Sequence, residues 1–343
     1  MGVNFFFQII KPFLFKLDAE KSHNFVFFCL SRLEILLGKF LKTPSPPIVK
    51  STYVRNLFFR NRIGLAAGLD KNGQYIDLLA RFGFGSIEIG TVTPEAQLGN
   101  EKPRLFRVEN ERALVNRLGF NNDGMRQVYK NIKKSRWVRE KKGILGVNLG
   151  INKTTSLTNA YDDYRKGLLC FWDIASYFVI NISSPNTMQV RDLQTAGYLE
   201  QLVDDIRRLQ KQQNEKTHNG RLIFYKISPD NDQKNLARMC LVFNKLDIDG
   251  LIVTNTTNDH EGLINSIGEP GGLSGEPLEH RSLSCLKIVR PLLNEEIPII
   301  ASGGIMSKEA IKSRLNSGAS IVQIYTGLIY EGPKIVFDFL RDS

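Results

Sequence analysis

The chain has 343 residues, of which 42% are apolar and 24% charged, proportions that exclude a fibrous or disordered protein. Its formal charge of +11 calls for an anionic partner. Nucleic acid is not that partner: the basic residues alternate with apolar or acidic ones, as in NIKKSRWVREKK, and there is no RNP-type aromatic motif or helix-turn-helix signal.

The first element, FFFQIIKPFLFKL, is strongly apolar but interrupted by Lys11, Pro12 and Lys16, so it falls short of the ~20 apolar residues needed to cross a bilayer. The next, AEKSHNFVFFCLSRLEILLGKFL, sets Phe25, Phe28, Cys29, Arg32, Leu33, Leu36 and Leu37 at helical spacing. Two short apolar helices are predicted. Such stripes either pack on a main domain or rest in a lipid interface, and Lys11, Lys16, Lys21, Arg32, Lys39 and Lys42 favour the interface. KTPSPPIVK reads as a semi-rigid linker. The chain therefore divides into a helical element, residues 1–42, and a main domain, residues 43–343. Four scattered cysteines without a CxxC pair suggest neither a zinc site nor a disulfide framework.

From residue 60 onward one phrase recurs, an apolar run that stops at Gly, Asn, Ser or Thr: RIGLAAGL, SIEIGTV, GILGVNLG, YFVINISS, RLIFYKIS, DGLIVTNT, IPIIASGGI and SIVQIYTG. Most of the intervals carry helical spacing, as in YLEQLVDDIRRLQKQQ, and such alternation denotes a parallel sheet covered by helices. Eight units close a (β/α)8 TIM barrel, here with a small N-terminal two-helix extension; an open doubly wound sheet is the alternative.

In a barrel the active site lies at the carboxyl ends of the strands. Those ends deliver Lys71, Thr91, Asn148, Asn181 with Ser184, Lys226, Thr254 with Asn255, Gly303 with Gly304, and Tyr325 with Thr326. Any one of these serves as readily as a cap or turn former, but eight concordant ends exceed what capping explains. PGGLSG, ASGGI and IYTG, assigned to the last two strands, suit a phosphate cradle of backbone N–H groups. Lys71 and Lys226 leave three roles open: a Schiff base, neutralisation of a phosphate or carboxylate, or support of a flavin's electron-rich edge.

GLAAGLDKNG, GFGSIEIGTVTPEAQLGNEKPRLFR, NRLGFNN, GVNLGINK, NISSPNT, TNTT, GGLSG and IYTG occur in the order and approximate spacing of dihydroorotate dehydrogenase. The chain resembles that family over essentially its whole length. The helix pair, and a Ser where soluble class 1 enzymes carry Cys, make it similar to the membrane-associated, quinone-linked class 2. The resemblance implies oxidation of dihydroorotate to orotate in de novo pyrimidine biosynthesis, with FMN as hydride acceptor and ubiquinone or menaquinone as final acceptor. It implies Ser184 as catalytic base, its proton leaving by a relay through water and Thr187. Lys71 would pair the substrate carboxylate. Asn116, Asn181, Asn186 and Asn255, with Thr256, would bond the pyrimidine ring, beside a loop of Asn116, Arg117, Leu118, Gly119 and Phe120. The FMN contacts implied are Ala67, Gly68, Leu69, Asp70 and Lys71 after the first strand. Thr91, Asn148, Asn181, Lys226 and Thr254 follow from the next five, then Gly275, Gly304, Tyr325 and Thr326. His23 and Arg107 match quinone-tunnel positions, and no metal is implied. The chain departs from the family after NISSPNT, where Met188 and Gln189 replace Pro and Gly in the substrate lid. With no transit-like leader, the expected location is peripheral, on the cytoplasmic face of a bacterial-type inner membrane.

Overall fold

The eight apolar runs are eight parallel strands in the computed structural model, which describes residues 2–38, 42–186, 190–261, 263 and 268–341. In chain order they are β1 (Ile63–Leu65), β2 (Ser86–Val92), β3 (Ile144–Leu149), β4 (Tyr177–Asn181), β5 (Leu222–Ile227), β6 (Gly250–Val253), β7 (Ile299–Ser302) and β8 (Ile321–Ile324). They close into a barrel, β8 pairing with β1 through Val322 opposite Ile63. An open sheet is thereby excluded.

Alternation along each strand sorts side chains to two sides. Phe178, Ile180, Ile223, Leu251 and Val322 belong to the large core between strands and helices. Their alternates Tyr177, Val179, Leu222, Phe224, Ile252, Ile300 and Ile321 form a second cluster inside the barrel. An antiparallel hairpin, Thr52–Val54 with Leu57–Phe59, plugs the lower end of that interior with Val54 and Phe59. Each fully buried aliphatic or aromatic side chain contributes about 1.5–3 kcal/mol, so the lower half of the barrel is a packed apolar core. Toward the carboxyl ends the same positions turn polar, with Asn181, Lys226, Thr254 and Ser302 all buried.

One assignment needs correction. GGLSG is no part of the last two barrel strands: Gly272–Gly275 is the edge of a three-stranded antiparallel sheet, with Ala113–Asn116 in its centre and Leu105–Val108 on its far side. A Cβ at Gly271 or Gly275 would overlap the carbonyl of Asn116 or Arg112. These glycines, both at positive φ, are required by the close approach of two strands.

The N-terminal elements are helices α1 (Gly2–Phe15, continuing through Pro12) and α2 (Ala19–Gly38). Charged side chains of the main domain tether them. Arg107 donates to the carbonyls of Phe15 (2.9 Å), Leu17 (2.7 Å) and Leu14 (3.3 Å), capping the carboxyl end of α1, where cations are favoured. Arg104 grips Glu20 at 2.7 and 3.0 Å, Arg81 pairs with Glu34, and Lys11 donates to the Tyr330 carbonyl at 2.8 Å. Ile9, Phe13, Leu17, Phe25, Phe28, Leu33 and Leu36 remain exposed. Among the described residues no helix is long and apolar enough to cross a membrane.

Candidate active site

A cavity opens to solvent where β1–β8 end, the place where a barrel of this kind carries its ligand site. Residues from all three predicted groups line it together: Ser184, Lys71, Asn116, Asn181, Asn186, Asn255 and Thr256; Leu118, Gly119 and Phe120; and Ala67, Gly68, Thr91, Lys226, Thr254, Gly304, Tyr325 and Thr326.

Local geometry explains their convergence. β4 ends in Asn181, and the chain then turns so that Ser184 is buried with its Oγ accepting from the Asn186 amide at 3.3 Å. Asn186 reaches across to Asn116, Nδ2 to Oδ1 at 3.0 Å, while Asn116 donates to the Gly272 carbonyl at 3.0 Å. The accessory sheet is thus roped to the loop after β4. Asn255 donates to Ser183 Oγ at 2.9 Å and accepts from the Thr256 amide at 2.8 Å. Three carboxamides therefore line the same cavity as Ser184, groups that carry both donor and acceptor capacity.

The two lysines differ. Lys226 is 6% exposed and, among the described residues, its ammonium has no hydrogen-bond or ion-pair partner. Burial lowers its pKa, and the charge of Glu88 opposes that shift. Lys71 donates to the Gly68 carbonyl at 2.8 Å. Its pKa falls to about 8, chiefly by burial and secondarily through Arg104, against Glu20 and Asp70.

Several predicted residues lie off the cavity wall. Asn148 is fully buried beneath the floor, accepting from Thr91 Oγ1 at 2.7 Å and from Asn181 Nδ2 at 3.2 Å. Leu69 packs in the outer core. Asp70 accepts from the amides of Gln74 (2.9 Å) and Tyr75 (2.8 Å), which shapes the Lys71 loop; burial raises its pKa. Arg117 turns to Glu269 and the Pro103 carbonyl, and Gly275 serves the strand approach described above. Thr187, Met188 and Gln189 lie outside the described residues.

Residues 49–342 match the family model described as Dihydroorotate dehydrogenase. The chain belongs to the dihydroorotate dehydrogenase family. It is 42% identical over 340 residues to a dihydroorotate dehydrogenase (quinone) of Legionella pneumophila strain Lens, covering 97% of this chain and 98% of that protein. A protein of the same description from Buchnera aphidicola is 43% identical over 344 residues, covering 98% and 99%. Among solved structures, ligand-free DHODH from Eimeria tenella superposes with a TM-score of 0.85 at 35% identity, covering 94% of this chain and 93% of that one. The Eimeria tenella enzyme in complex with ferulenol gives 0.84 at 34%, covering 94% and 89%.

The dehydrogenase family is one of flavoenzymes, and the cavity suits such a group. A buried, unpartnered ammonium at Lys226 offers a charge to an electron-rich ring edge. Positive-φ glycines at 303 and 304 let the main chain form the wall beside it; a Cβ on Gly304 would overlap the backbone of Glu279.

A second cavity adjoins the first, sharing Lys71, Leu105, Leu118 and Tyr325 as its wall and reaching His23 and Glu20 on α2. His23 packs against Phe27, ring centroids 4.6 Å apart and planes tilted by 42°. Burial, and then the charge of Lys71, lower its pKa to about 4, so the imidazole is neutral near pH 7. Arg107 caps α1 and so acts on this region by holding the helix. Ser302, Gln323, Ser274 and Leu105 also line the main cavity and were not singled out from the sequence, although inward alternation points to Ser302 and Gln323.

Proposed function

We propose that dihydroorotate is oxidised to orotate in the main cavity, on FMN, and that the electrons leave to a quinone through the adjoining cavity beneath α2. The observation that carries this is the convergence of Ser184, the carboxamides of Asn116, Asn186 and Asn255, and the cations Lys71 and Lys226 on one pocket. FMN, when bound, supplies the hydride acceptor.

The chain's own residues do the rest. Lys71 neutralises the substrate carboxylate, and the three asparagines pair with ring N–H and C=O groups, which would leave buried amides unpaired with any analogue lacking them. Ser184 Oγ takes the proton from C5 of dihydroorotate as hydride leaves C6. A serine hydroxyl is a weak base, so its own proton must pass onward, with Thr187 as the proposed carrier. Lys226 holds negative charge as it develops near the ring, an electrostatic role of high value in a buried site. Gly68, Thr91, Thr254, Gly304, Tyr325 and Thr326 hold the cofactor directly, with Asn148 and Asn181 supporting it from below.

Residues 1–42 form the quinone and membrane element and residues 43–343 the FMN-binding barrel. The exposed row from Ile9 to Leu36, with Lys16, Lys21 and Arg32 on the same helix pair, supports peripheral docking on an anionic membrane, on the cytoplasmic face of the cell membrane. His23 and the Arg107-held end of α1 flank the quinone path.

The test is an anaerobic absorption spectrum of the purified protein. The flavin bands bleach on adding dihydroorotate and return on adding a ubiquinone or menaquinone analogue. Flavin bands that persist with dihydroorotate reject the substrate, and bleached bands that no quinone restores reject the acceptor.

A further inference from the structure

Glu88 on β2 is fully buried, one inward position below the rim of the barrel. Donors from three other strands meet its carboxylate: Asn148 Nδ2 at 2.8 Å on Oε1, and Gln323 Nε2 at 2.6 Å and the Tyr177 hydroxyl at 3.1 Å on Oε2. Two strands give up side chains to admit these donors. A Cβ at Gly146 would overlap the Tyr177 ring and hydroxyl, and one at Gly64 would overlap Ser86 Oγ and crowd Gln323. The barrel is therefore built around this carboxylate, yet Glu88 does not line the cavity above it.

An ionised carboxylate only accepts, so each amide that meets it must present its NH2 side. Asn148 turns its Nδ2 down to Glu88, which leaves Oδ1 upward to accept from Thr91 and Asn181. Asn181, having spent its Nδ2 there, offers Oδ1 to the Ser183 amide (3.3 Å), the Ser183 hydroxyl (3.0 Å) and Asn255 Nδ2 (3.4 Å). One direction of hydrogen bonding thus runs from Glu88 to the residue before Ser184. Gln323 obeys the same constraint although its Oε1 is left without a donor among the described residues. Glu88 outweighs that loss. Its charge also acts on Lys226, which has no contact partner of its own among the described residues.

We propose that Glu88 is a positioning residue whose buried carboxylate sets the amide orientations of Asn148, Gln323 and Asn181 and acts as counter-charge to Lys226, so that the cavity floor offers bound flavin a fixed donor–acceptor pattern and a damped positive charge. The proposal rests on the reading that FMN occupies this cavity.

Glu88→Gln keeps the volume but removes the charge and introduces an NH2 where only donors converge. With Lys226 no longer compensated, the reduced flavin, which carries more negative charge, is favoured over the oxidised form. The holoenzyme of Glu88→Gln is expected to hold FMN at least tenfold more weakly. Its reduced-to-oxidised ratio rises at least tenfold at a given poise, a midpoint potential higher by about 30 mV for a two-electron couple. Glu88→Asp retains the charge and returns the reduced-to-oxidised ratio to within about threefold of wild type, about 15 mV in potential. The measurements are FMN content and dissociation constant, reductive titration against a reference dye, and a thermal melt.

A purely structural Glu88 would lower the melting temperature and FMN content while the flavin that remains keeps its wild-type potential. That outcome overturns the proposal, as does a lowered potential. If Glu88→Gln does not fold or holds no flavin, Tyr177→Phe decides: removing one donor exposes the cavity to more of the negative charge. The potential then falls by about 15 mV, a threefold change, and an unchanged or raised value overturns the proposal. A wild-type protein without flavin would instead reject the parent reading, so the two failures are distinct.

Discussion

The rim of the barrel and the N-terminal helix pair are opposite solutions to the handling of a ligand. At the rim the amide side chains are bonded to other side chains, Asn186 to Asn116, Asn255 to Ser183 and Asn181 to Thr91, over a packed plug of aromatic and aliphatic residues. In the helix pair Phe13, Phe25, Phe28 and Leu36 face outward, while a few inward rings such as Phe27 and a few charged tethers hold the element. Chemistry needs groups held to fractions of an ångström. A fluid partner such as a lipid surface asks only for apolar area and charge. The two regions meet at the wall of Lys71, Leu105, Leu118 and Tyr325, where the reduced cofactor would face the electron acceptor.

If the rim alone does the hydride chemistry, Ser184→Ala gives the largest effect. Flavin reduction by dihydroorotate in stopped flow is expected to slow by about 10³-fold, in line with loss of a general base, while FMN and orotate binding persist. An unchanged reduction rate would remove Ser184 from the mechanism.

Deleting residues 1–42 separates the regions. Quinone-dependent turnover should fall by about 10²-fold while the rate of flavin reduction stays within a few-fold, because a site that binds and positions one substrate contributes to that half-reaction alone. Equal losses in both would make the helices mere structural support.

A gentler break is Arg107→Ala, which frees the end of α1 by removing charge-assisted hydrogen bonds of about 1.5–3 kcal/mol. The quinone KM is expected to rise about tenfold, equivalent to 1.4 kcal/mol, with dihydroorotate kinetics unchanged. A shift in the dihydroorotate KM instead would show that the cap serves the rim.

The smallest effect is one of pH. Burial destabilises the ammonium of Lys71, whose pKa is lowered to about 8, so the cation is present below that pH and lost above it. The dihydroorotate KM should rise a few-fold as pH climbs through about 8, and Lys71→Gln should abolish the dependence while starting from a higher KM. A wild-type KM that is flat across that range would show that the carboxylate is held by another group.

Much of this was legible in the chain before it was folded. Strong apolar runs ending in polar residues located all eight strands, and their ends supplied Ser184, Asn181, Lys226 and Thr254, because alternation and the closing number eight are local and arithmetic properties. GGLSG misled because a glycine run reads alike whether it cradles a phosphate or admits a neighbouring strand. Asn148 was found as a strand end but sits below the floor. Arg107 matches a quinone-tunnel position, and only the fold reveals that its guanidinium donates to the carbonyls of Leu14, Phe15 and Leu17.

The amino-acid sequence by itself determined the strand count, the chemical types at the barrel mouth and the amphipathic entry helices, since each depends on spacing over a few residues. Only the tertiary structure decided which of those polar groups face the cavity and which lie beneath it. It alone brought Gln323 to Glu88 across 235 positions. The physical reason is closure: the hydrogen bonds that orient a buried amide come from strands remote in the chain, and they exist only once the ring of strands has shut.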